Sequence, residues 1–268
     1  MKKKRKYLIT GTSSGLGKYL LEEIGGEAFI RNNHNALISN QNRHFFGIIH
    51  CATDARNFVL SNELINYYQS HIELTKNLLS IPHDHFIFIS SVEVYAEQFL
   101  LNSESDVHRV PSYPVRNETN LLYGVFKLLA EKIVQEKSNK ALILRPTSIV
   151  GRTMRKNNIQ KLLSNSQQPI SLHPDSSYNL VSMQQIKDFI KLSMDKNISG
   201  IFNIGANDNA SLKEIAKFIG GEPKFGDHIH NVKRINTNKI LQYSKMFDKS
   251  TLDIAQKVAA ELKTLQNQ

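Results

Sequence analysis

The 268-residue chain holds a single cysteine, Cys51. One thiol excludes an intrachain disulfide and suits a reducing compartment, so a cytoplasmic location is expected. No stretch approaches the ~18 consecutive apolar residues of a membrane span. The basic start, Met1 to Lys6, leads into only a short apolar strand, which is not the pattern of a secretory leader. Internal repeats are absent. His83 and His85 flank Asp84 in what reads as a strand-entry turn, but no third ligand accompanies them, so no metal site is expected. Acidic residues are the scarcer sign, 24 against 34 Lys and Arg, for a net charge of +10. Such a surface attracts anions. Beyond Lys2 to Lys6 the positive charge is scattered, and no recognition-helix, zinc or RNA-binding signature is present. Neither nucleic acid nor membrane is therefore expected as a partner. An apolar content of 40% in this length suffices for one large domain, or one plus a small lobe.

What is present is an ordered set of α/β signals. Tyr7-Leu8-Ile9-Thr10 reads as a short buried strand, and Gly11-Thr12-Ser13-Ser14-Gly15-Leu16-Gly17 follows, then a helical run to Ile24. In the order strand, glycine turn, helix, glycines allow a tight turn and close backbone approach to a pyrophosphate, and the helix N-terminus offers N–H groups to that anion. Phe86-Ile87-Phe88-Ile89 is a second apolar β run, ending in Ser90 and Ser91. Ligands of open α/β sheets bind at the carboxyl ends of strands, which puts these hydroxyls where chemistry is expected. Ala141 to Gly151 reads as a further strand, broken at Pro146. Tyr123 and Lys127 stand four apart on a predicted helix over 119–137, so phenol and ammonium share a face. A nearby cation favours phenolate, making Tyr123 a candidate proton donor and acceptor for a hydroxyl.

Strands alternate with helical patterns from residue 7 to about 150, which predicts a doubly wound parallel sheet of Rossmann type. Further helices are predicted over 15–24, 61–80, 183–195, 211–219 and 250–265. Residues 1–150 are expected to form a dinucleotide-binding domain. Residues 151–268 are expected to form a smaller substrate region, part of which, near Ile201, returns to the main sheet. The polar connection 98–120, with Pro111 and Pro114, would frame a substrate cleft. Ala28-Phe29-Ile30 reads as the second strand, with Arg31 after it. No acid stands there to grip a ribose 2′-hydroxyl, and an Arg can accommodate a 2′-phosphate, so NADP is the expected cofactor and NAD the alternative. Arg31 as an exposed loop residue remains open beside this.

Together these segments resemble the extended short-chain dehydrogenase/reductase family, especially its nucleotide-sugar epimerase/dehydratase branch, over about residues 6–219. The resemblance implies an NAD(P)-dependent enzyme acting on a nucleotide sugar, as epimerase or 4-ketoreductase. It implies Tyr123 as the acid/base, Lys127 as holder of the nicotinamide ribose, and Ser91 as hydrogen-bond donor to the reacting oxygen. Gly11 to Gly17 would cradle the pyrophosphate, Cys51 and Ala52 would line the cofactor cleft after what looks like the fourth strand, and Pro146 would pack near the nicotinamide. It also implies a homodimer built on helices 61–80 and 119–137. Glu93, two before Tyr95, stands where dehydratases and decarboxylases of the family carry a working carboxylate, and those activities are an alternative. A non-catalytic dinucleotide-binding sensor or scaffold is another.

The chain departs from the family pattern at four places. The glycine spacing is that of the single-domain branch. Ala96 follows Tyr95 where a Gly is usual, and Val92 stands where dehydratases often have an Asp. Ser177 to Ser182 lacks the Arg often used for a nucleotide diphosphate. These weaken a dehydratase assignment and leave open how a substrate diphosphate is held.

Overall fold

The computed structural model describes residues 5–30, 39–54, 56, 59–95, 100–106, 119–138, 140–166 and 168–266. Arg31, Ala96, Pro111, Pro114 and Lys2 to Lys4 lie outside the described residues, as does most of the 98–120 connection.

Strand β1 (Tyr7–Thr10) is buried at all four positions, as expected of a strand covered on both faces. Helix α1 (Gly15–Ile24) follows, buries Leu16, Tyr19 and Leu20, and stops at Gly25, whose φ of 75° suits a glycine. Next come β2 (Glu27–Phe29), β3 (Phe45–His50) and a long helical segment, α2, from Ser61 to Leu79. After these come β4 (His83–Ile89), helix α3 (Thr119–Lys137) and β5 (Ala141–Pro146). The central sheet runs β2-β1-β3-β4-β5 and ends on the strand Gly200–Ile204. The pairings among β1 to β5 are parallel, with Leu8 opposite both Glu27 and Ile48, and Ile87 opposite both Ile49 and Leu142. The chain thus steps outward from β1 to β2, then returns across β1 to β3. The switch point lies between the carboxyl ends of β1 and β3. Beneath the sheet, Leu8, Ile48, Phe86, Phe88 and Ile143 pack with Leu78, Ala130 and Val134 of α2 and α3 into one core.

Several elements differ from expectation. Helix 61–80 is not uniform: a 3-10 turn (Ser61–Glu63) opens it and a π-turn (Gln69–Glu73) interrupts it. Within that stretch Ser70 Oγ donates to the Tyr67 carbonyl and Thr75 Oγ1 to the His71 carbonyl, so side chains compete for the backbone acceptors. His83 to His85 belong to β4 rather than to a turn before it, because they continue the ladder against Phe45 and Gly47. The run 141–151 is two strands. Pro146 ends β5, since it offers no N–H to a ladder, and Ser148–Val150 pairs with Leu180–Ser182 instead. The second strand sits one residue earlier than read, and the strand that leads into Cys51 and Ala52 is Phe45–His50, the third among the described residues.

The chain divides into two compact units. One comprises Met1–Ala96, Val107–Arg145 and Ile190–Phe202; the other comprises Glu97–Asp106, Pro146–Phe189 and Asn203–Gln268. The first holds β1 to β4, α1 to α3 and nearly all of β5. The second is built from short ladders: Ser148–Val150 with Leu180–Ser182, Ile170–Leu172 with Phe225–His228, and Ser177–Tyr178 with Ala210–Ser211. Its helix Leu212–Ile219 starts at a Ser211–Glu214 capping box and stops at left-handed Gly220. Helix Thr251–Gln266 packs on that helix and on Leu180–Ser182. No helix among the described residues is long and apolar enough to cross a membrane.

Candidate functional site

The loop between β1 and α1 is shaped by close backbone approach. Gly11 has φ 71°, and a Cβ there would sit 3.0 Å from the Ala52 nitrogen. A Cβ at Gly17 would run into the carbonyl oxygens of Gly11 and Thr10, so only glycine lets α1 start this close under β1. Gly15 has φ 64° with open space around its missing side chain. Thr12, Ser13 and Ser14 form the loop between these points, and Leu16 and Gly17 lie in the buried first turn of α1. The turn sits at the switch point, with the N–H groups of a ten-residue helix behind it. Such an arrangement can receive a pyrophosphate.

A chain of buried hydrogen bonds ties this floor to α2. Thr10 Oγ1 accepts from the backbone N–H of Cys51 at 3.0 Å and of Ala52 at 2.9 Å. A hydroxyl has one proton and two lone pairs, so that proton goes to His50 Nδ1, 2.9 Å away. Thr75 Oγ1 spends its own proton on the His71 carbonyl and therefore accepts from His50 Nε2 at 3.0 Å. This bookkeeping assigns His50 as the neutral Nε2–H tautomer. His71, in the π-turn, donates through Nε2 to the Asp54 carbonyl at 2.9 Å, and its ring meets the Tyr123 ring edge-on at 5.8 Å.

The second corner lies past β4. Ser90 and Ser91 follow the strand, and Ser91 caps a 3-10 turn (Val92–Val94) by accepting from the Glu93 N–H at 3.2 Å. Helix α3 lies directly on that turn. A Cβ at Gly124 would collide with the Glu93 carbonyl, so the glycine between Tyr123 and Val125 sets the approach. Lys127 is buried, donates from Nζ to the Ile89 carbonyl at 2.7 Å, and stands 5.7 Å from the centre of the Tyr123 ring. Burial brings its pKa down to about 7, against the pull of the Cys51 thiol and the Glu131 carboxylate. Burial likewise pushes the Cys51 thiol up to about 12, partly offset by Lys127, so it is protonated at neutral pH and not a nucleophile.

One part of the corner went unread in the sequence. Glu131, one turn beyond Lys127, accepts hydrogen bonds from Ser90 Oγ and from Arg145 Nε and Nη2, and Arg145 Nη1 donates to the Tyr95 hydroxyl at 3.0 Å. Burial works against the Arg145 charge, but the bonds and charge of Glu131 outweigh it and hold the guanidinium firmly protonated. The available signal was spacing: Tyr123, Lys127 and Glu131 stand at i, i+4 and i+8 on one helix face.

The structure therefore brings the expected residues to two places in the first unit. Gly11 to Gly17, Cys51 and Ala52 meet at the β1–β3 switch. Ser91, Glu93, Tyr123 and Lys127 meet where α3 crosses the turn after β4. Pro146 is the final residue of β5. Among the described residues no cluster of His, Cys, Asp and Glu suits a metal ion.

Residues 30–205 match the family model described as NAD dependent epimerase/dehydratase family. The match begins after the glycine loop, so the loop enters on its own geometry. A comparison with curated proteins finds no match. Among solved structures, UDP-glucuronic acid 4-epimerase from Bacillus cereus, in complex with UDP-glucuronic acid and NAD, is similar with a TM-score of 0.72 at 20% identity, over 97% of this chain and 99% of that one. dTDP-4-dehydrorhamnose reductase from Yersinia enterocolitica is similar at 0.73 and 17% identity, over 97% and 100%. RMD from Pseudomonas aeruginosa, complexed with NADPH, is similar at 0.70 and 14% identity, over 97% and 98%. At such identities the likeness is one of fold.

Proposed function

We propose a function from this premise: the chain belongs to the NAD dependent epimerase/dehydratase family. Within it, the chain acts on a nucleotide sugar as a 4-ketoreductase or epimerase. The nicotinamide, when bound, supplies or takes up the hydride. Tyr123 gives or accepts the proton of the reacting hydroxyl, Ser91 hydrogen-bonds the same oxygen, and the Lys127 ammonium favours the phenolate. The Gly11–Gly17 loop holds the pyrophosphate, with Cys51 and Ala52 along the cofactor and Pro146 near its nicotinamide. Similar folds are in complex with NAD in one case and with NADPH in another, which supports a nicotinamide dinucleotide without choosing between them. The preference for NADP(H) rests on Arg31 in the sequence.

One observation carries this reading: Tyr123 and Lys127 stand one turn apart on α3, and Gly124 lets that helix rest on the turn capped by Ser91. Replacing Tyr123 with Phe is expected to abolish turnover of a nucleotide sugar while leaving NADPH or NADH binding intact. Full residual turnover would defeat the assignment.

The chain is also proposed to form a homodimer. Leu64, Ile65 and Tyr68 of α2 and Val125 and Leu129 of α3 are exposed apolar side chains on two helices that pack together. Their coverage by the same helices of a second copy would bury this surface. A monomer by light scattering at high concentration would remove the proposal.

A further inference from the structure

Glu131, Arg145, Ser90 and Tyr95 are buried, hydrogen-bonded to one another, and have no part in the chemistry proposed above. The Glu131 and Arg145 side chains are 1% and 2% exposed. A buried ion pair is weak evidence for stability, because desolvation offsets most of the attraction. It does supply register. Glu131 comes from α3, Arg145 from β5, and Ser90 and Tyr95 from the connection after β4, and each is close in sequence to a residue of the proposed site. Ser90 precedes Ser91. Glu131 is one helical turn from Lys127 and two from Tyr123. Tyr95 ends the turn that Ser91 caps, and Arg145 precedes Pro146 at the end of β5.

We propose that Glu131, clamped by Arg145, is a positioning residue that fixes Lys127 of α3 against Ser91 at the end of β4; this rests on the catalytic reading above. A bidentate guanidinium allows one orientation of the carboxylate, so Oε1 of Glu131, which accepts from Arg145 Nε, has its remaining lone pair aimed at Ser90 Oγ. With the helix pinned there, the Lys127 ammonium reaches the Ile89 carbonyl at 2.7 Å. Lys127 is faced by Cys51 after β3, by the Phe88 ring and Ile89 carbonyl of β4, and by Tyr123 and Glu131 on its own helix. Among these the Glu131 carboxylate supplies negative charge that offsets the burial of the ammonium. A misplacement of α3 by about 1 Å is enough to cost on the order of a hundredfold in rate at such a site.

The test uses the full-length chain with lysine labelled at the ε-carbon, and Lys127→Met to identify the Lys127 signal. In the double variant Glu131→Gln with Arg145→Met, no buried charge is left unpaired, and the unfolding midpoint is expected to stay within about 5 °C of the parent. The Lys127 titration midpoint is expected to fall by about half a unit or more. The Glu93 amide resonance, which reports the bond to Ser91 Oγ, is expected to move with it. A folded double variant with both signals unchanged overturns the proposal. If the double variant does not fold, Glu131→Asp, which keeps the charge but shortens the reach, decides. A shifted Lys127 midpoint and Glu93 amide support the proposal, and unchanged ones overturn it. Neither readout requires turnover, so the failure of Tyr123 as acid/base would be seen separately, as full turnover by Tyr123→Phe.

Discussion

At the β1–β3 switch the shape is made by backbone. Gly11 and Gly17 have no room for a side chain, and a single hydroxyl, Thr10, gathers the two N–H groups that follow β3. At the β4–α3–β5 corner the shape is made by buried charge: Glu131 and Arg145 hold three elements together, with Lys127 buried one turn away. The two corners are exposed to different perturbations. The first fails when volume is added. The second fails when charge is removed or left unpaired, and ought to respond to pH. On the proposed function, the cofactor floor gains from rigidity, whereas a lysine that favours a phenolate needs its charge, and a charge held in the interior needs partners.

The largest effect expected is that of Arg145→Met alone. It leaves the Glu131 carboxylate buried without its counter-ion and should cost about 3–5 kcal/mol in urea unfolding. Restoring neutrality with Glu131→Gln should recover much of that loss, and no recovery would mean the pair is not the source of the cost. Next is Gly17→Ala at the other corner. Its methyl group meets two carbonyl oxygens, so a loss of about 3 kcal/mol is expected together with loss of NADPH and NADH binding. Binding preserved at parental affinity would show that the loop is not the pyrophosphate cradle. The smallest effect is the pH slope from Lys127. Its folded pKa of about 7 lies below the unfolded value of 10.5, so the unfolded chain binds more protons between these values and stability rises with pH. Unfolding free energy should increase by about 2 kcal/mol from pH 7 to pH 9, and Lys127→Met should flatten the slope. Above pH 9 the raised Cys51 thiol acts in the opposite direction, because the unfolded chain loses that proton first. The window therefore closes there.

The same division explains what could be read in advance. The parallel sheet, the glycine loop and the Tyr123–Lys127 pair are local patterns: apolar strands, glycine spacing, and i to i+4 on a helix. Each survives in a stretch of a few residues. The Glu131–Arg145 pair spans 14 positions and Arg145–Tyr95 spans 50, and nothing in the composition near Arg145 distinguishes a buried guanidinium from a surface one. The Thr10–His50–Thr75 chain was hidden for the same reason. The π-turn in α2 was missed because its apolar spacing still fits a helix, while the hydroxyls of Ser70 and Thr75 act on the backbone. The split of 141–151 at Pro146 was half visible: proline marked the break, but only the fold shows the second half pairing with Leu180–Ser182.

The glycine turn at the β1–β3 switch is proposed to receive a nicotinamide dinucleotide. Calorimetric titration of cofactor-stripped protein with NADPH, and with NADH in parallel, tests it most directly. Saturable binding of at least one of them is expected at one site per chain, with tighter binding of NADPH if Arg31 meets the 2′-phosphate. Absence of binding by both would contradict it, leave the likeness to the epimerases and reductases as one of fold, and favour a scaffold without cofactor chemistry.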